Sequence, residues 1–231
     1  MDRLDVANEA AAEAFDRLMR ERWSCRAFRP DPVPRDTIAS IIAAAQHTAS
    51  WCNTQPWRLT VMSSEETSRF RQELYAYAAS DPEPDPDIPW PSYQGVYLDR
   101  RREVGWMLYD AVGVKKGDRE GSRLQALENF RFFGAPHVAL LTTDRALGVY
   151  GILDCGGFIQ SFMLAALSRG VASIAQAAIA SYGSFVRKRL GIGDDRVLIC
   201  GISFGYPDLS HPANSFKAPR ADVPDVAEFR E

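Results

Sequence analysis

Residues 153 to 169, Leu-Asp-Cys-Gly-Gly-Phe-Ile-Gln-Ser-Phe-Met-Leu-Ala-Ala-Leu-Ser-Arg, are the most apolar stretch of the chain. Helical spacing puts apolar side chains on nearly every face, and in a soluble protein such a helix has to be buried on every side. Gly156, Gly157, Ala165 and Ala166 are small enough to let other backbones come close. A chain of 231 residues builds one good-sized domain, with limited room to wrap a helix completely. The remaining cover expected for it is a subunit interface. Gly170 is placed to cap it.

Hydrophobic residues are 46% and charged residues 25%, ordinary for a globular protein. The net charge of -3 argues against a nucleic-acid surface, which usually carries a basic excess. No apolar run is long enough to span a membrane, and the first helix (Ala7 to Arg20) is amphipathic and mildly acidic, unlike a signal peptide. Cys25, Cys52, Cys155 and Cys200 lie far apart, without zinc or redox spacing, and read as thiols of a reducing compartment. His47, His137 and His211 suggest no metal cluster. A cytoplasmic, metal-free protein is expected.

Residues 6 to 22 read as a helix with Phe15, Leu18 and Met19 on one stripe. Pro34 opens a second helix carrying Ile38, Ile41, Ile42 and Ala45, followed by a polar loop from Thr48 to Trp57. Arg58 to Met62 reads as a strand, and Ser63 and Glu66 have capping-box spacing before a helix with Phe70, Leu74 and Tyr77. The Pro- and Asp-rich run from Asp81 to Pro91 fits neither helix nor interior strand. It reads as a surface excursion that could bring Trp90, Tyr93 and Tyr97 over a pocket; a plain exposed loop fits equally well. Helices are expected over 98–112 and 122–133, a strand over 138–142, a buried segment over 171–175, a helix near 185–190 and the clearest strand over 197–204. The tail, 214–220, has no core pattern and must lie along something else. Clustered helices between well-separated strands predict an α+β fold, one unit over 1–231 with 81–130 as an insertion.

In an extended segment, Arg22, Ser24 and Arg26 share a face, and two guanidinium forks with a hydroxyl make a socket for an anion, most naturally phosphate. A solvated basic edge fits the same pattern. Ser50, Asn53 and Gln55 form a second polar set, Lys217 and Arg220 a third. The amides suit a ligand with donor and acceptor edges, or they tie their own loop together. Nucleotide-loop patterns fail: Gly191-Ile192-Gly193 follows a helix instead of a strand. A Cys52–His47 hydrolase lacks a third group to orient the base. The set offers no nucleophile and no acid–base pair, so a cofactor must carry any chemistry.

Arg-x-Ser-x-Arg-x-Phe (22–28), Ser-x-x-Asn-x-Gln-Pro-Trp (50–57), the Gln160-to-Gly170 helix, Gln176-Ala177-Ala178, Gly205-Tyr206-Pro207 and the Arg220 tail together resemble the FMN-dependent nitroreductase family, most similarly its nitrobenzoate-reductase-like branch. The resemblance runs from about residue 18 to 222, outside the 81–130 insertion. It implies helices flanking a mainly antiparallel sheet, in an intertwined homodimer that holds two FMN at the subunit interface. Arg22, Ser24 and Arg26 would hold the phosphate and ribityl chain, with Lys217 and Arg220 closing on the phosphate. Ser50 and Asn53, with Gln55 in the same loop, would approach the flavin from the partner, and the backbone of Gln176, Ala177 and Ala178 would lie by the reactive nitrogen. Asp154 stands where relatives often carry an amide that touches the cofactor, and Ala49 replaces the usual proline.

The activity implied is hydride transfer from NADPH or NADH, by ping-pong kinetics, to a small nitroaromatic or quinone-like acceptor bound near Trp90, Tyr93 and Tyr97. Reductive dehalogenation, flavin breakdown and flavin binding without turnover are the alternatives on the same frame.

Overall fold

The computed structural model describes residues 9–230. Its centre is an antiparallel four-stranded sheet in the order β1-β2-β4-β3, with β1 at Arg58–Val61, β2 at His137–Asp144, β3 at Ala172–Gln176 and β4 at Arg196–Gly205. Seven helices surround it: α1 (Glu9–Glu21), α2 (Arg35–Ala45), α3 (Ser64–Ala79), α4 (Gly95–Ala111), α5 (Arg119–Leu127), α6 (Gly148–Leu167) and α7 (Gly183–Leu190). The α+β expectation holds. Pro34 does precede α2, and Ser63 Oγ accepts the Glu66 N–H at 3.3 Å to cap α3.

The two middle strands are buried because the sheet is covered on both faces. Along β2, Val138 and Leu140 face a core with Phe70, Leu74 and Phe132, while Ala139 and Leu141 face one with Trp57, Phe158 and Phe162. This is the period of two expected of a strand. Along β4 the alternation breaks: Cys200, Ile202 and Phe204 join the second core, yet Leu198 joins the first. The pairing explains it, since Leu141 opposes Cys200 and Thr142 opposes Leu198, leaving Ile199 as the extra residue of a bulge.

Three expectations need correction. The helix expected over 122–133 stops at Leu127, and Phe132 and Phe133 adopt φ of 57° and 51°. Phe130, Phe132 and Phe133 are all buried, and their spacing cannot place all three on one helical face, so the chain turns to deliver them. For the long apolar helix the correction concerns only which part this chain covers: one face is buried and the cover expected from a second subunit falls on the other. Gly151, Cys155, Phe158, Phe162 and Ala166 face inward, but Val149, Tyr150 and Leu153 are 77%, 56% and 67% exposed. The chain covers one face of α6 and leaves the opposite face open. Finally, the helical stretch Arg145–Leu167, 23 residues with a mean hydropathy of 1.3 in its most apolar window, is by length and composition able to cross a membrane. The sequence reading missed this because it counted only 153–169, and the helical stretch begins eight residues earlier. Its inward face packs on α2 and the sheet.

The 81–91 run is extended, and its first half is pinned. Asp85 N–H donates to Ser181 O at 2.8 Å, and Ser184 N–H donates to Asp85 Oδ2 at 3.0 Å. Two residues on, the buried Asp87 carboxylate accepts from Leu198 N–H at 2.8 Å, from Arg145 Nη2 at 3.1 Å and from Arg187 Nη1. Strand β3 pairs only with Gly201–Gly205, so Asp87 satisfies a β4 amide that no strand reaches. Burial alone would raise the Asp87 pKa; the Leu198 amide and the two guanidinium groups outweigh it and hold the carboxyl below its usual range.

His137 fastens the opposite end of the sheet. Its Nε2 accepts the Val33 N–H at 3.0 Å, so the proton sits on Nδ1, which lies 3.2 Å from Met62 O. Burial lowers the pKa of this imidazole below 6.5, and the Val33 N–H occupies the nitrogen a second proton would need. The native state therefore refuses a proton that the unfolded chain accepts, and stability is fully present above about pH 6.5 and falls as the pH drops below it. Urea midpoints at pH 7.5 and 5.5 should differ in this direction, and His137→Gln, which keeps a donor and an acceptor without titrating, should flatten the dependence; an unchanged slope in the variant removes His137 as its cause.

Candidate functional site

Helix α1 ends one residue before Arg22, and the chain then runs extended between β3 and the 206–214 turn. Cys25 N–H donates to Ser173 O at 3.2 Å, Arg29 N–H to Tyr206 O at 2.8 Å and Asp208 N–H to Ala27 O at 3.0 Å, with Phe28 bridging Pro207. Asn214 closes the arrangement. Its Oδ1 accepts from Arg26 N–H at 2.7 Å, and its Nδ2 donates to Ala27 O at 2.9 Å and Asp208 O at 2.8 Å. This asparagine lays the tail along the arginine segment, and sequence reasoning named the tail without identifying the residue that docks it.

The docking brings both basic sets together. Arg22, Ser24, Arg26, Lys217 and Arg220 line one cavity of about 530 Å³. Arg20 joins them, and among the described residues no carboxylate lines the cavity. Burial, then the charge of Arg220, pushes the Arg22 guanidinium below its ordinary pKa, and burial does the same to Arg26. Their hydrogen bonds go to neutral backbone: Arg26 Nη1 to Ser24 O at 3.2 Å, Lys217 Nζ to Arg20 O at 3.3 Å and Arg220 Nη1 to Ala218 O at 2.9 Å. Two half-buried guanidinium groups beside further cations, with no acid among the described lining residues, are a site for an anion. Trp23 and Phe216 give the same cavity aromatic surface, a contribution the sequence reading did not foresee.

Ser50, Asn53 and Gln55 stand elsewhere. None of them lines the cation cavity. They form a tight turn in which Cys52, Asn53 and Gln55 have φ of 50°, 57° and 45°, a left-handed run that costs conformational energy and persists only where other contacts enforce it. Ser50 Oγ accepts Gln55 N–H at 2.9 Å, and Gln55 Nε2 donates to Asn53 O at 3.3 Å. Asp154, on α6, accepts Trp51 N–H at 3.1 Å, so its carboxylate holds this turn against the open side of the helix. Trp51 and Tyr150 extend the contact, ring to ring at 5.1 Å. The Asn53 side chain is exposed beside the uncovered face of α6.

The Gln176 side chain is committed inward: its amide donates to Asn129 O at 2.9 Å and accepts from Ser203 Oγ. That fixes the corner where β3 turns to the exposed Ala177 and half-exposed Ala178. Tyr93 and Tyr97 line a neighbouring cavity of about 870 Å³ that shares Val104, Ala218 and Arg220 with the cation cavity. Trp90 is 51% exposed and lines neither.

Buried thiols are unfit for nucleophilic work: burial pushes Cys25 and Cys155 up to about 11 and Cys200 to about 12. Among the described residues no group of His, Cys, Asp and Glu converges as a metal site would require.

Comparison with known proteins gives a consistent answer. Residues 19–206 match the model of the nitroreductase family. Nitroreductase NfnB of Mycolicibacterium smegmatis is 36% identical over 220 residues, 94% of this chain and 93% of its own. A 4-nitrobenzoate reductase of Pseudomonas putida is 35% identical over 93% of this chain and 95% of its own. The crystal structure of FMN-dependent NfnB from Mycobacterium smegmatis in complex with NADPH superposes with a TM-score of 0.91 at 35% identity, covering 96% of this chain and all of that one.

Proposed function

This chain belongs to the nitroreductase family, and from that premise we propose that it is an FMN-dependent, NADPH-using nitroreductase. The observation that carries the reading is the cavity where five cations meet with no carboxylate among the described lining residues, which fits the phosphate of one FMN. Bound FMN supplies the redox chemistry, hydride in from the nicotinamide and out to the acceptor.

The protein's own part is binding, orientation and shielding. Arg22, Arg26, Lys217 and Arg220 hold the phosphate, with the Ser24 hydroxyl as a further donor. Their charge is in place before the ligand arrives, so binding relieves repulsion already built into the fold. The Gln176–Ala178 corner, fixed from behind by Asn129 and Ser203, is assigned to the flavin ring. Ser50, Asn53 and Gln55 are assigned to the ring of the partner's cofactor, because their turn sits beside the uncovered face of α6 and none of them lines the cation cavity. Asp154 supports that turn through Trp51 N–H and positions it.

The exposed strip of Val149, Tyr150 and Leu153 supports a homodimer, since a run of large apolar side chains along one helix face needs cover from water. We read the whole chain as one unit, with 81–130 an insertion whose aromatic residues close over the acceptor. The free, mostly buried cysteines suit a reducing cytoplasm. Quinone-like acceptors belong to the reading as well, being planar and electron-poor like nitroarenes. Donor and acceptor then occupy one covered space in turn.

Three outcomes are expected. The purified protein should release FMN on denaturation, and Arg22→Ala or Arg220→Ala should each weaken FMN binding tenfold or more, roughly 1.5–3 kcal/mol, with Arg58→Ala as the unaffected control. Equal retention in all three would move the phosphate site elsewhere. Initial rates against donor and acceptor should give parallel double-reciprocal lines, and Tyr93→Ala or Tyr97→Ala should raise the acceptor KM with FMN content unchanged; intersecting lines would exclude the shared space. The parent should sediment as a dimer, and Leu153→Glu should shift it toward monomer. A folded, FMN-loaded monomer of the parent would end the interface assignment.

A further inference from the structure

The cavity of about 870 Å³ beside the cation site has two unlike walls. One is the backbone-rich tail around Ala218–Ala221; the other presents Tyr93 from the segment before α4 and Tyr97, Arg100 and Arg101 from its first turns. The Arg101 guanidinium lies over the Tyr93 ring, 5.2 Å from its centroid. Stacking of this kind fixes the guanidinium plane while leaving its N–H donors free for a second partner. Elsewhere in the insertion, Arg123 pairs with Glu120 at 2.8 Å and Arg131 with Glu128 at 3.4 Å. Among the described residues neither Arg100 nor Arg101 has such a pair, although Glu103 and Asp225 line the same cavity. With Arg220 the cavity walls carry three cations against those two acids.

We infer that Arg100 and Arg101 recognise the anionic substituent of a planar aromatic ligand whose ring packs against Tyr93 and Tyr97. The proposal rests on the nitroreductase reading and adds the charge of the substrate to it. Two sources supply this chemistry: the carboxylate of an aromatic acceptor, and the 2′-phosphate beside the adenine of the donor. In either case the guanidinium groups discriminate between ligands that differ only in that group, because a neutral analogue leaves them unpaired while keeping its ring contacts.

The test uses the FMN-loaded enzyme and compares the parent, Arg100→Ala/Arg101→Ala, and Arg102→Ala, an α4 arginine outside the cavity. Specificity ratios in kcat/KM are measured for 4-nitrobenzoate against nitrobenzene and for NADPH against NADH. The double variant should lower one of the two ratios tenfold or more, with the uncharged or dephosphorylated member within twofold of the parent; the ratio that falls names the source. Both ratios within twofold of the parent, equal losses for both members of a pair, or the same change in Arg102→Ala would overturn the inference. Fluorescence titration with 4-nitrobenzoate and with adenosine 2′-monophosphate separates it from the activity itself. A parent without nitroarene turnover ends the functional reading. In that event, binding of either probe that is lost in the double variant still supports the anion site, and binding that is absent or unchanged overturns it.

Discussion

Strands β2 and β4 pair along their whole length and are covered on both faces, so a slip of one residue would drive Leu140 and Leu141 each into the wrong core. Everything at the candidate site hangs from this pair. Strand β3 reaches the sheet only through Gly201–Gly205, and the backbone of the Arg22–Phe28 segment bonds to Ser173 on β3 and to the turn that follows β4. The cations are therefore positioned by a relay of backbone contacts that starts in the most rigid part of the molecule. Preorganisation of that kind matters for a ligand whose reacting atom has to be held to a fraction of an ångström.

Bringing Arg22, Arg26, Lys217 and Arg220 together with no acid among the described lining residues opposes folding, because like charges repel and the half-buried Arg22 and Arg26 guanidinium groups lose hydration. Hydrogen bonds to the Ser24, Arg20 and Ala218 carbonyls compensate in part. The remainder is the driving force available to an incoming phosphate. The Asn53 turn, with its run of left-handed residues, is a second place where local conformational energy is held against the intrinsic preference of the chain. Both lie where the proposed cofactor would bind, and strained or self-repelling groups are expected at such positions more than in the core.

What was legible in the sequence was local. The Ser63 cap, Pro34 ahead of α2 and the alternation of Arg22, Ser24 and Arg26 depend on neighbours a few residues away, and each was readable. The end of α5 was not, because three phenylalanines competing for one core outweigh the propensity of the segment to stay helical. That one chain would not cover all of α6 was readable from its composition and the size of the domain, but which face stays open was not, because apolar residues recur nearly all round the helix. Asn214 and Asp87 gave no signal at all. Asn214 meets the Arg26 amide 188 residues away, and Asp87 meets Arg145, Arg187 and Leu198 at separations of 58, 100 and 111 residues. Single polar residues with remote partners look like surface in a sequence.

Asp87 divides the mechanics of the molecule. Upstream of it the chain is riveted to Ser181, Ser184 and the bulged end of β4; downstream, no residue of α4 is buried. Displacements confined to α4 therefore have no lever arm into the sheet. A segment isolated in this way can be lengthened, shortened or given different aromatic residues over evolutionary time at little thermodynamic consequence for the barrel of side chains behind it, so new acceptors can be sampled on an unchanged redox frame.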